Sequence, residues 1–100
     1  MAVAAKLESA ELDAAVAELP GWTFDGGELL RTWSFPDFVA AMGFVNQVAA
    51  LAEAAGHHPD IDIRYNKVRL GLVTHDAGGV TSVDVEMAER LGRLKESSKG

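Results

Sequence analysis

The chain has 100 residues, 48% of them hydrophobic and 24% charged, a formal net charge of −6 and no cysteine. That length predicts one domain, residues 1–100, with a single core. A net negative balance supplies no broad basic face for phosphates, so no nucleic-acid partner is expected, and the lack of thiols removes disulfide and thiolate chemistry and fits a reducing cytoplasm.

Ser9 reads as a helix cap, with Leu12, Val16 and Leu19 marking one face, and Pro20-Gly21 stops the helix. Trp22 to Phe24 and Leu29 to Phe35 flank Asp25-Gly26-Gly27, the pattern of a β-hairpin. Pro36 suits a first helical position and Asp37 the positive end of a helix. Phe38, Met42, Val45, Ala49 and Ala52 follow at helical spacing, with Phe44, Val48 and Leu51 widening the apolar face, and Gly56 is a left-handed stop. This stripe reads as core or as a subunit contact. Asn46, Gln47 and Glu53 interrupt it, so no membrane span is expected, and the N-terminus lacks a signal-peptide layout.

Ile61, Ile63 and Tyr65 alternate with polar residues, as do Val68, Leu70, Leu72 and Thr74, giving a second hairpin around Asn66-Lys67. Arg64, Lys67 and Arg69 are read as its solvated face. Asp76-Ala77-Gly78-Gly79 is a loop. Thr81-Ser82-Val83-Asp84 has the form of a capping box, and Val83, Met87, Leu91 and Leu94 make the stripe of a last helix, with a polar, frayed tail from Glu96. The order α-β-β-α-β-β-α predicts an α+β domain: a four-stranded antiparallel sheet covered on one face by helices.

All three histidines lie in two short segments, His57-His58-Pro59 and Thr74-His75-Asp76. Histidine titrates near neutrality, so a cluster of them is the first place to look for proton transfer. Facing the apolar residues of the second hairpin to one side predicts Tyr65 opposite Val68, Ile63 opposite Leu70 and Ile61 opposite Leu72. Extended, that ladder puts Pro59 opposite Thr74 and His58 opposite His75. Glu53, one helical turn before His57, is placed to hydrogen-bond an imidazole, although an exposed glutamate near a helix end is equally ordinary. Asp84 begins the last helix beside the same loop, where capping alone accounts for it. Trp22 reads equally as sheet core or pocket wall. Three histidines and an acid also suit zinc, but in no familiar ligand spacing.

The run Glu53, His57-His58-Pro59, Tyr65, His75 and Asp84 resembles the signature of the pterin-4a-carbinolamine dehydratases, as do Gly21-Trp22, Phe35 with Phe38, Gly43-Phe44 and Tyr65-Asn66-Lys67-Val68. The similarity runs from about Leu12 to about Leu91. It implies dehydration of a 4a-hydroxytetrahydropterin to quinonoid dihydropterin, in tetrahydrobiopterin recycling, without metal or organic cofactor. It also implies His57 and His75 as the acid/base pair and His58 as the residue that binds and orients the pterin. Glu53 would tune a histidine, and Trp22, Pro59, Thr74 and Asp84 would border the substrate. Homodimers or homotetramers are implied. Gly56 stands where an aspartate is common in the family, and Ile61 where an aromatic is common. Some proteins of this fold act instead through protein contacts, as dimerisation or assembly factors. Retention of all three histidines favours the enzyme.

Overall fold

A computed structural model describes residues 4–98. The first helix, α1 (Ser9–Ala17), leads into strands β1 (Thr23–Asp25) and β2 (Glu28–Ser34). The long helix α2 (Phe38–Ala55) is followed by β3 (Asp60–Arg64), β4 (Lys67–Leu72), a 3₁₀ turn (His75–Ala77) and α3 (Ser82–Ser98). The expected order is the observed one. α3 runs past Glu96, and the last two residues of the expected tail lie outside the described residues.

The four strands form one antiparallel sheet in the order β1-β2-β4-β3. Leu29 and Trp33 of β2 and Val68, Leu70 and Leu72 of β4 turn to one face and are buried there against α2 and α3. The opposite face carries Thr32, Arg69 and Asp62 in register, and Thr32 and Arg69 are exposed. Alternation at period two therefore sorts the strands as the sequence predicts. Trp33 centres the core, edge-on to Trp22 at 5.7 Å between ring centroids and 4.9 Å from Phe44, which in turn lies 5.1 Å from Phe35. Edge-to-face and tilted geometries suit the ring quadrupoles.

Several local expectations are corrected. Glu8, not Ser9, caps α1, with Glu8 N donating to Glu11 Oε1 at 2.9 Å. Asp37 is the cap of α2, its Oδ1 accepting from Ala40 N at 2.8 Å, so Pro36 sits just outside the helix rather than at its first position. The buried stripe of α2 is Ala41, Phe44, Val48 and Ala52, while Phe38 and Ala49 of the expected stripe are exposed and Met42 and Val45 half-buried. By length and composition α2 would also suffice to cross a bilayer, but its Phe44 and Val48 are packed into the sheet core. In α3 the buried stripe starts at Asp84 and continues through Met87, Ala88 and Leu91, and Val83 is exposed.

The second hairpin is shifted by two residues from the expected register. Arg64 pairs with Lys67, Ile63 with Val68 and Ile61 with Leu70, leaving Tyr65-Asn66 as the turn. Tyr65, not a residue of the expected Asn66-Lys67 turn, has the positive φ, 53°. Asn66 is held elsewhere: its Nδ2 donates to Phe35 O at 2.8 Å, and Phe35 N donates to Asn66 O at 2.9 Å. These two bonds lock the turn to the end of β2. A slip of two keeps every side chain on its own face, so the hydrophobic pattern cannot distinguish the registers.

Candidate active site

Gly56 ends α2 in a left-handed conformation, φ 67°, and His57 N donates to Ala52 O at 3.2 Å. This stop turns the chain sharply off the helix and places both histidines ahead of β3. Continued past its last pair, the observed register sets His58 across from Val73 and His57 across from Thr74. His58 does not oppose His75, contrary to the expected ladder. His75 reaches the same place by another route. Thr74 bridges to Gly79, and the 3₁₀ turn between them, closed by Gly78 at φ 77°, carries His75.

The result is an open cleft of about 330 Å³ lined by Gly56, His57, His58, Val73, Thr74, His75 and Asp76. All three imidazoles and Thr74 are therefore together. Pro59 is half-buried and is not among the lining residues. Trp22 is in the core, 4% exposed, and borders a different cleft with Pro20, Arg31 and Gly92. There Arg31 lies over Trp33, 4.5 Å from the ring, and donates to Pro20 O, and burial lowers its pKa from the ordinary arginine value.

Two carboxylates back the histidines, and they differ in surroundings. His57 Nε2 lies 2.6 Å from Asp84 Oδ1, with Asp84 fully buried and the imidazole 17% exposed. His58 Nε2 lies 2.5 Å from Glu53 Oε2, but that pair is 61% and 77% exposed. At similar distances the medium decides: an exposed pair contributes roughly 0–1 kcal/mol and is screened by salt. The buried pair interacts through a lower effective dielectric, and so couples more strongly. His75 makes no side-chain hydrogen bond among the described residues. Glu53 thus reaches His58 rather than His57. Asp84 is sealed beneath His57 rather than open to a ligand.

Asp84 also performs the expected capping. Its Oδ2 accepts from Thr81 N at 2.9 Å and from Thr74 Oγ1 at 2.7 Å, while Thr81 Oγ1 accepts from Val83 N at 3.2 Å. Thr81 was legible only as a cap, yet its hydroxyl lies 2.8 Å from Thr74 Oγ1 and joins the polar network behind His57. The available signal was Asp84 itself, a charged residue three and seven positions ahead of the buried Met87 and Leu91. A carboxylate on the buried stripe of a helix needs partners there. Among the described residues, no group of three His, Cys, Asp or Glu side chains is arranged to hold a metal ion.

Residues 5–94 match the family model described as pterin 4 alpha carbinolamine dehydratase. The chain belongs to that family. A protein of Acidobacterium capsulatum, provisionally named pterin-4-alpha-carbinolamine dehydratase, is 53% identical over 90 residues, covering 90% of this chain and 98% of its own length. A Roseiflexus relative with the same provisional name is 49% identical over 92 residues, covering 92% and 99%. Among solved structures, a transcriptional coactivator/pterin dehydratase from Brucella melitensis superposes with a TM-score of 0.84 at 37% identity, over 89% of this chain and 97% of that one. A pterin dehydratase-like protein identified as a RuBisCO assembly factor in the alpha-carboxysome has a TM-score of 0.60 at 23% identity, over 73% and 84%. At that identity the likeness is one of fold.

Proposed function

We propose that this family member dehydrates a 4a-hydroxytetrahydropterin to the quinonoid dihydropterin, within tetrahydrobiopterin recycling. The observation that carries the reading is the convergence of His57, His58 and His75 on one cleft, with a buried carboxylate behind His57. Dehydration needs two proton transfers. The C4a–O bond breaks as an acid protonates the departing hydroxyl, which leaves as water. A base takes the N5 proton as the C4a–N5 double bond forms. His57 is the base, because the carboxylate at its back stabilises the imidazolium it becomes. His75, on its exposed turn, is the acid. His58, steadied by Glu53, binds and orients the ring, with Thr74 at the cleft wall. Proton transfer by positioned side chains supplies roughly 10²–10⁴-fold each.

Purified protein is expected to accelerate dehydration of enzymatically generated 4a-hydroxytetrahydropterin. The His57→Ala, His75→Ala double variant should lose nearly all of that acceleration while keeping its circular dichroism spectrum. No acceleration by the parent protein would overturn the reading and favour a role through protein contacts.

The chain is also proposed to self-associate. Phe38 and Val39 on α2 are 49% and 79% exposed, and Ile61 and Ile63 on the edge strand β3 are 39% and 36% exposed. Apolar side chains beside an unpaired strand edge favour pairing with another chain, and a second copy is the commonest partner.

A further inference from the structure

The hydrogens behind His57 can be placed by counting donors. Thr74 Oγ1 donates its one proton to Asp84 Oδ2, so the 2.8 Å contact between the two threonine hydroxyls has a single solution, Thr81 donating and Thr74 accepting. Thr81 Oγ1 keeps a lone pair for Val83 N, and Thr81 N fills the second position on Asp84 Oδ2. Asp84 Oδ2 then holds two donors, and Oδ1 faces only His57 Nε2. A carboxylate oxygen accepts and does not donate, so His57 Nε2 bears the hydrogen. The neutral ring is left with its lone pair on Nδ1, which has no partner among the described residues, on a side chain that lines the cleft.

We infer that Thr81 is a positioning residue: through the Thr74 hydroxyl it fixes the Asp84 carboxylate, which holds His57 as the Nε2–H tautomer with Nδ1 as the base. Thr81 is fully buried and does not line the cleft, so it acts through the imidazole and not on a ligand. Its proton occupies a Thr74 lone pair and leaves the Thr74 hydroxyl one direction in which to donate. Outer partners of this kind govern tautomer and ring orientation. The consequence for rate rests on the dehydratase reading. The tautomer does not.

The test is ¹⁵N NMR of the imidazole rings in the full chain, combined with steady-state kinetics. The parent protein should show His57 with a protonated, exchange-protected Nε2 and an unprotonated Nδ1. Thr81→Val should free the Nε2 proton to exchange and mix the tautomers. It should lower kcat about tenfold, a fraction of a general-base contribution, with KM unchanged. Thr81→Ser should restore both. Thr74→Val leaves the Thr81 cap intact and should reproduce the spectral change, which keeps the inference testable if Thr81→Val does not fold. A Thr81→Val protein that loses thermal stability while its His57 spectrum and kcat stay unchanged would reduce Thr81 to a cap and overturn the inference, as would an Nδ1–H tautomer in the parent. A parent protein without dehydratase activity but with the locked tautomer, released by Thr81→Val, would overturn the proposed function and uphold this one.

Discussion

The carboxylate of Asp84 holds the first turn of α3 through one oxygen and faces His57 through the other. The two tasks separate under substitution. Asp84→Asn keeps the shape and leaves one oxygen to accept from Thr81 N and Thr74, so its amide is turned toward His57 Nε2. That group donates, and the ring answers by moving its own proton to Nδ1, where the base should be. Stability should fall by about 1.5–3 kcal/mol, the worth of a charge-assisted hydrogen bond. The rate should fall far more, about 10²-fold or beyond, because a general base in the wrong tautomer contributes nothing. Urea denaturation beside steady-state kinetics will check this. A variant losing stability and rate in proportion would show that Asp84 matters only as a cap.

Elements are where the sequence was most and least legible. Strand alternation, the Gly26-Gly27 turn and the Gly56 stop all predicted their structures, because each depends on a local backbone or burial preference. The register of the second hairpin did not. Ile61 and Ile63 face the same side in both registers, and the choice was made by Asn66 bonding to Phe35, 31 residues away. The histidines meet all the same, because the turn after β4 folds His75 back to the cleft. Thr81 stayed hidden for a similar reason: a cap in sequence gives no sign of what its hydroxyl touches across the fold. Strain at Tyr65 follows from the observed turn. A left-handed backbone costs a residue with a Cβ about 1–2 kcal/mol, and glycine returns roughly half of that relief as chain entropy. Tyr65 is 67% exposed and little packing is lost with it. Tyr65→Gly should therefore raise stability by about 0.5–1 kcal/mol, or a few degrees in Tm for a domain of this size, read by calorimetry. A fall in Tm would mean that the ring, not the backbone, governs this turn.

At the scale of the molecule, the chain covers one apolar stripe of α2 and leaves two apolar side chains at the start of that helix exposed. Phe44 and Val48 enter the core, whereas Phe38 and Val39 face outward, and Ile61 and Ile63, on the same sheet face as Leu70 and Val68, stay partly exposed at the edge strand. Two surfaces are available, the α2 face and the β3 edge, and paired charges can tell them apart. Phe38→Glu with Val39→Glu alters only the helix, and Ile61→Lys with Ile63→Lys only the strand. None of the four positions is buried, so each pair of charges remains solvated and the fold should survive. Light scattering after size exclusion is expected to give a dimer or tetramer for the parent protein and a smaller species for at least one variant. If the parent is a tetramer and each variant stops at a dimer, both surfaces are interfaces. A parent protein that is monomeric at tens of micromolar would overturn self-association and leave Phe38 and Val39 to a different partner.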